Sequence, residues 1–428
     1  MRAVALFCLI SLCSRALSAG SDTQSDLASR AEELIRAGQK SEASEVLKQA
    51  AAAEATAESE DRVGFLYAVL QQNADALEHF RKSIALDSRY AQAHFHLGVA
   101  LWNDGEHTAA INELQSAATL EPQNFQYRYR LGSAFLRNND ADSAVSELQQ
   151  AVNLNSAAAP AWADLGRAFE TKNDLAHAVD AYAKAVALDP ANNALRNSYA
   201  YLLIETRQPD RAIEESQTVL AHDARDTSAL MNIGYADLKK GDFDAAEKTY
   251  RALLAIDPNS AAGHYDLGIA LKSKDQLDDA KNEFREAIRL DPTLAQAHYS
   301  LGIADWQEGD FAGLTDEMRA AIKVSPEYAE AHYMLGIALK QNGDLDGALA
   351  ELREAIRLDP SSPGPFNTIG QILRQKGDKA GSAEAFATGA RLKQEKESQL
   401  ANTLEQGMRG GEVMKPIAHM PSQEPSPQ

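Results

Sequence analysis

Residues 329–360 read Ala329-Glu-Ala-His332-Tyr333-Met-Leu335-Gly336-Ile337-Ala338-Leu339-Lys340, then Gln-Asn-Gly343-Asp344, then Leu-Asp-Gly-Ala348-Leu-Ala-Glu-Leu352-Arg-Glu-Ala355-Ile356-Arg-Leu358-Asp359-Pro360. Apolar residues recur at Leu335, Ala338 and Leu339 and again at Ala348, Leu352, Ala355 and Ile356. This three-and-four spacing is that of one buried helix face. Gly343-Asp344 interrupts the pattern, and Pro360 ends it because proline cannot continue a helix. The stretch therefore predicts two helices and a turn. Two helices this short cannot hide both apolar faces alone, so the pair must stack on copies of itself.

The copies are present. A leucine-glycine landmark recurs every 34 residues at Gly64, Gly98, Gly132, Gly166, Gly234, Gly268, Gly302, Gly336 and Gly370, with Ala200 in the one vacancy. That makes ten repeats over residues 57–396. Twelve places after the landmark stands a small residue (Ala76, Ala110, Ala144, Ala178, Ala212, Ala246, Ala280, Ala348), with Leu314 and Ser382 as exceptions. Small residues at both places predict a close approach of the two helices, which offsets the cost of about 1 kcal/mol that glycine carries inside a helix. The pattern resembles the tetratricopeptide repeat family: Trp162 takes the early Trp place, Tyr67 the Tyr place, Phe80 and Phe284 the Phe place, and Pro122, Pro190, Pro258, Pro292, Pro326 and Pro360 the closing Pro. The resemblance implies an all-α, right-handed superhelical solenoid, here of about eleven antiparallel helix pairs.

Outside the repeats the sequence changes character. Met1-Arg2 followed by the apolar run Ala3–Cys13 reads as a signal peptide over residues 1–18, since the run is too short to cross a bilayer as a helix, which takes about 20 residues. Ala16-Leu17-Ser18 places small residues where a signal peptidase cuts, so the mature chain is expected to begin near Ala19 or Gly20, in the periplasm or outside the cell. Cys8 and Cys13 both lie in this leader, and the mature chain would hold neither thiol nor disulfide. Residues 19–56 read as a polar start and a degenerate capping repeat, residues 397–411 as a C-terminal capping helix, and the proline-bearing residues 412–428 as a disordered tail.

Charge excludes one class of partner. The formal net charge is −20, with 62 acidic residues, and a chain so acidic repels the phosphate backbone of nucleic acid. Catalysis has no visible apparatus: there is no glycine-rich phosphate loop, zinc-metalloprotease signature or Gly-x-Ser-x-Gly elbow. No cofactor is implied. His94, His264, His298 and His332 share one place in the repeat. Repeat symmetry holds their side chains parallel on helices about 8–10 Å apart, whereas zinc ligands converge to about 2 Å from the ion, so a structural role is expected. Asn342–Gly347 faintly resembles an EF-hand calcium loop, but Arg353 stands at its twelfth place and the segment falls on a turn between helices.

The resemblance also implies a binding surface. In the family the first helices line a concave face that holds peptides or partner helices, which here would include Phe95, Trp102, Tyr129, Tyr201 and Tyr235 and, in the second half, Tyr265, Ile269, Lys272, Tyr299, Ile303, Trp306, Tyr333, Ile337, Lys340 and Arg374. Aromatic anchors beside three cations would suit a protein or peptide partner with acidic and apolar residues. The same tyrosines also fit a role covering the joints between near-duplicate repeats. The carboxylate clamp of some family members is not supported, because Tyr265, Asp266 and Ile269 stand where its Lys and Asn would be. The expected function is an exported, non-enzymatic protein-binding scaffold without a transmembrane segment. The alternative is a substrate-recruiting module, like the arrays that precede the catalytic domain of O-linked N-acetylglucosamine transferases, serving an enzyme encoded on a separate chain.

Overall fold

The computed structural model describes residues 23–409, and among them only helices, turns and connecting loops occur. The expected leader, residues 1–18, and the expected tail, residues 412–428, lie outside the described residues. Contacts divide the chain into two compact units, residues 1–202 and 203–428. The first holds α1 (Gln24–Arg36), α2 (Lys40–Ala50), α3 (Ala57–Val69), α4 (Asn73–Leu86), α5 (Ala91–Asn103), α6 (His107–Leu120), α7 (Phe125–Arg137), α8 (Ala141–Leu154), α9 (Ala159–Thr171) and α10 (Leu175–Leu188). The division falls inside α11 (Asn193–Glu205). The second unit continues with α12 (Pro209–His222), α13 (Thr227–Lys240), α14 (Phe243–Ile256), α15 (Ala261–Ser273), α16 (Leu277–Leu290), α17 (Ala295–Gln307), α18 (Phe311–Val324), α19 (Ala329–Gln341), α20 (Leu345–Leu358), α21 (Pro363–Gln375) and α22 (Lys379–Arg409). These are eleven antiparallel pairs, the solenoid that the periodicity predicts.

The landmark glycine is explained by the residue sixteen places after it. A Cβ on Gly64 would lie 2.8 Å from the Phe80 ring, on Gly132 2.7 Å from Leu148, on Gly268 2.5 Å from Phe284 and on Gly336 2.7 Å from Leu352. The bulky side chain of each second helix thus seats on bare backbone of the first. The small residue at twelve places contributes through its main chain: the carbonyl oxygens of Ala76 and Ala110 come within 3.2 and 3.0 Å of a Cβ built at Gly64 and Gly98. Tyr250, Phe80 and Phe284 are fully buried as a result.

The turns between paired helices follow from local chemistry. One residue in each takes a left-handed backbone: glycine at 105, 241, 309, 343 and 377, and Gln71, Asn139, Asn173, Arg207 or Asp275 at the same register, of which asparagine and aspartate tolerate that region better than most side chains. In several turns an aspartate then caps the following helix: Asp140 accepts from the Ser143 amide at 3.1 Å, Asp242 from Ala245 at 3.1 Å and Asp344 from Gly347 at 2.9 Å. Pro209 begins α12 without disturbing it, since a proline in the first turn removes an amide that has no helical partner.

Candidate binding face

The histidines come first, because their bonding decides what they can do. His94, His264 and His332 each direct Nδ1 at a glutamate nineteen residues on (Glu113, Glu283, Glu351) at 2.6, 2.6 and 2.7 Å. Nε2 faces the carbonyl of the residue six places before (Ser88, Pro258, Pro326) at 3.1, 3.2 and 3.1 Å. Both ring nitrogens are engaged with oxygen partners, and neither is left for a metal. His298 makes the same glutamate contact, to Glu317 at 2.7 Å.

Other residue types hold the same station. Arg128 donates to the Pro122 carbonyl at 3.2 Å and to Glu147 at 2.7 Å, and the Trp162 indole donates to the Ser156 carbonyl at 2.9 Å. In the first full repeat the pair is reversed, with Glu60 at the histidine place and His79 at the glutamate place, 2.5 Å apart and buried. The station is a clip. It fastens the loop entering a repeat to that repeat's second helix, which is why the sequence places histidine there so often.

The first-helix face of the second unit carries the residues singled out above. Tyr265, Ile269 and Lys272 are spaced four and three apart on α15, so they share one side of the helix. Tyr299, Ile303 and Trp306 repeat this on α17, and Tyr333, Ile337 and Lys340 on α19, while Arg374 ends the row on α21. Three rows result, one of tyrosines, one of isoleucines and one of long polar or aromatic side chains. The tyrosine row closes joints: the Tyr333 ring lies where a Cβ on Gly364 of the next repeat would be, 2.8 Å away, and Tyr299 packs on Tyr328 with ring centroids 5.1 Å apart. Burial pushes the Tyr299 hydroxyl up to about 12 and raises that of Tyr265.

The third row is different in kind. Among the described residues no carboxylate pairs with Lys272, Lys340 or Arg374, although acids outnumber bases along the chain. Lys340 Nζ donates to Gln371 Oε1, and the Arg374 guanidinium lies 6.0 Å from the Phe386 ring centroid. Lys272 is half-buried, and burial alone holds its ammonium below the usual lysine range. Trp306 is half-buried between these cations in the row, packed against the core of its neighbours.

Two features escaped sequence reasoning. Asp266, the residue after Tyr265, is a half-buried carboxylate that burial alone pushes up to about 6. The first unit, by itself, has a cleft between α5 and α7 lined by Val99, Trp102, Asn103, Leu114, Arg130, Ser133, Ala134 and Arg137. Trp102 belongs to the expected lining, but the two arginines, both exposed, do not. Writing the repeats in register would have shown Arg130 at the place of Asp266. Phe65, Val69 and Tyr201 are also exposed on first helices. As to the EF-hand-like turn, its Asp344 is spent on the helix cap and Asp346 pairs with Lys376 at 2.5 Å.

The comparisons agree with this architecture. Family models described as tetratricopeptide repeat match residues 64–125, 125–157, 237–302 and 316–363, and one described as the cytochrome c-type biogenesis protein H TPR domain matches residues 147–263. The chain belongs to the tetratricopeptide repeat family. No curated protein matches it. Among solved structures, one of MamA is 28% identical over 39% of this chain and 97% of its own, with a TM-score of 0.37. One of YrrB, described as a TPR protein with an unusual peptide-binding site, is 19% identical over 41% of this chain and 91% of its own, with a TM-score of 0.37. A tetratricopeptide repeat protein from Parabacteroides merdae is 16% identical over 58% of this chain and 98% of its own, with a TM-score of 0.49.

Proposed function

We propose that the chain is an exported protein-binding scaffold that holds a segment of a partner along the first-helix face of its second unit. The observation that carries this reading is the row Lys272, Trp306, Lys340 and Arg374, in which cations without a carboxylate partner flank a half-buried indole in an acidic protein. A row of that composition supplies apolar area and attracts carboxylates, so the partner segment is acidic and apolar. The protein supplies a surface and no chemistry of its own.

The test compares wild type with Trp306→Ala/Lys340→Gln in affinity capture from the exported fraction, with bound proteins identified and helical circular dichroism recorded. The tyrosines are spared because they close joints. Expected is loss of the captured partner by tenfold or more with helicity intact, and weakening of the wild-type complex as salt rises. Capture of the same proteins at the same affinity by the double variant would sink the assignment. Export rests on Met1-Arg2 and the apolar run Ala3–Cys13, and N-terminal sequencing of native protein should find a start near Ala19 or Gly20. An intact Met1 in the cytosol rules it out.

A further inference from the structure

Helix α15 holds two charges of opposite sign that the fold leaves without a partner, and the repeat register shows why. The station of Asp266 is filled elsewhere by residues that reach back to the preceding first helix. Arg62 bonds Glu32 at 2.7 Å, His96 bonds Asp61 at 2.9 Å, and Asp164 accepts from the Ser133 hydroxyl at 2.7 Å. Before Asp266 the corresponding places hold Met231, which has nothing to donate, and Tyr235, whose hydroxyl donates to Glu205 at 2.9 Å. Among the described residues Asp266 keeps neither a hydrogen bond nor an ion pair.

Lys272 is stranded by the same arithmetic. Its register mate Lys340 finds Gln371 thirty-one residues on, and the same step from Lys272 lands on Ile303. Among the described residues no hydrogen bond or ion pair joins Asp266 to Lys272, and burial is what shifts each of them. A half-buried charge without a counter-ion is costly, and two on one helix are a poor structural solution. They are a good recognition device, because a partner that brings both counter-charges is favoured and one that brings a like charge is repelled.

Resting on the reading proposed above, we infer that this face takes a segment of mixed charge: a lysine or arginine that pairs with Asp266 and a glutamate or aspartate that pairs with Lys272, with an apolar residue between them against Ile269. Six residues of helix separate the two by about 9 Å along the axis. In an extended chain successive side chains alternate faces, so residues four apart, with the apolar residue midway, present all three side chains to the helix.

The test uses the full chain and four labelled ten-residue peptides, alike except at two places four apart. These places hold Lys and Glu, Glu and Glu, Lys and Lys, or Gln and Gln. Binding is read by fluorescence anisotropy for wild type, Asp266→Asn and Lys272→Gln, both near-isosteric changes that remove an uncompensated charge and leave the fold intact. Expected is binding of the Lys–Glu peptide at least tenfold tighter than the other three, falling about tenfold in either variant. A Glu–Glu peptide bound as tightly as Lys–Glu, with Asp266→Asn unchanged, overturns the mixed-charge inference and leaves the acidic-segment scaffold standing. Equal binding of all four peptides, insensitive to both variants and to Trp306→Ala, overturns the inference together with the binding face.

Discussion

Nine repeats pair a glycine on the first helix with a bulky side chain on the second, whereas residues 191–224 put Ala200 at the glycine place and Ser216 at the bulky one. Both are fully buried, and the Ser216 hydroxyl finds no partner. Tyr199 stands at the station that Leu165 and Leu267 hold, and it too is buried. An ion pair sets the same repeat apart from the one two periods on. In the regular array Lys281 pairs with buried Asp305 at 2.7 Å, but two repeats earlier Ile213 occupies the lysine place and leaves Asp237 buried, its carboxyl raised by burial. The contact division also falls here, between Leu202 and Leu203. The lesson is that the bulky place can be given up while both facing stations stay small and buried, Ala200 and Ala212 here.

The sharpest way to break this contrast is to convert the regular array at its ion pair. Lys281→Met should leave Asp305 buried without its ion-pair partner and cost about 3–5 kcal/mol. Denaturant unfolding measures it, and Lys281→Met/Asp305→Leu should recover most of the loss. A loss below about 1 kcal/mol would mean that the lysine is solvated rather than structural. A smaller effect is expected from Gly268→Leu, which must displace the Phe284 ring, 2.5 Å from where its Cβ would sit, at about 1–3 kcal/mol. Because stability in a stacked array is nearly a sum over neighbours, hydrogen exchange should rise in α15, α16 and the pairs beside them while α19–α21 keep their protection. Exchange rising uniformly through the second unit would refute the nearest-neighbour picture.

The fold was legible because a 34-residue period in the landmark glycines states both the helix pair and its stacking, and a glycine facing a bulky residue is visible in one dimension. The structural role of the histidines was legible too, from the argument that parallel side chains cannot converge on an ion. What the period could not reveal was their bonding, since the glutamate nineteen residues on and the carbonyl six residues back meet only after the loop has folded over. Asp266 and Lys272 were hidden for the opposite reason. Their significance is a missing partner, and a missing partner appears only when Met231 and Ile303 are seen to occupy the places where an acceptor or donor would have been. The tyrosines read equally well as anchors or as joint covers until the Tyr333 ring was found lying against Gly364.

The clip at the histidine station reaches six residues back and nineteen forward, a span shorter than the repeat itself. Its contacts are therefore written in relative coordinates. Duplicating or excising one whole period within the regular stretch hands every severed bond to an equivalent atom, while any other length shift leaves donors facing the wrong side chains. Selection acting on such an array can change its length only in whole steps, and the near-identity of the repeats at Tyr265, Tyr299 and Tyr333 is the residue pattern that copying by whole steps leaves behind.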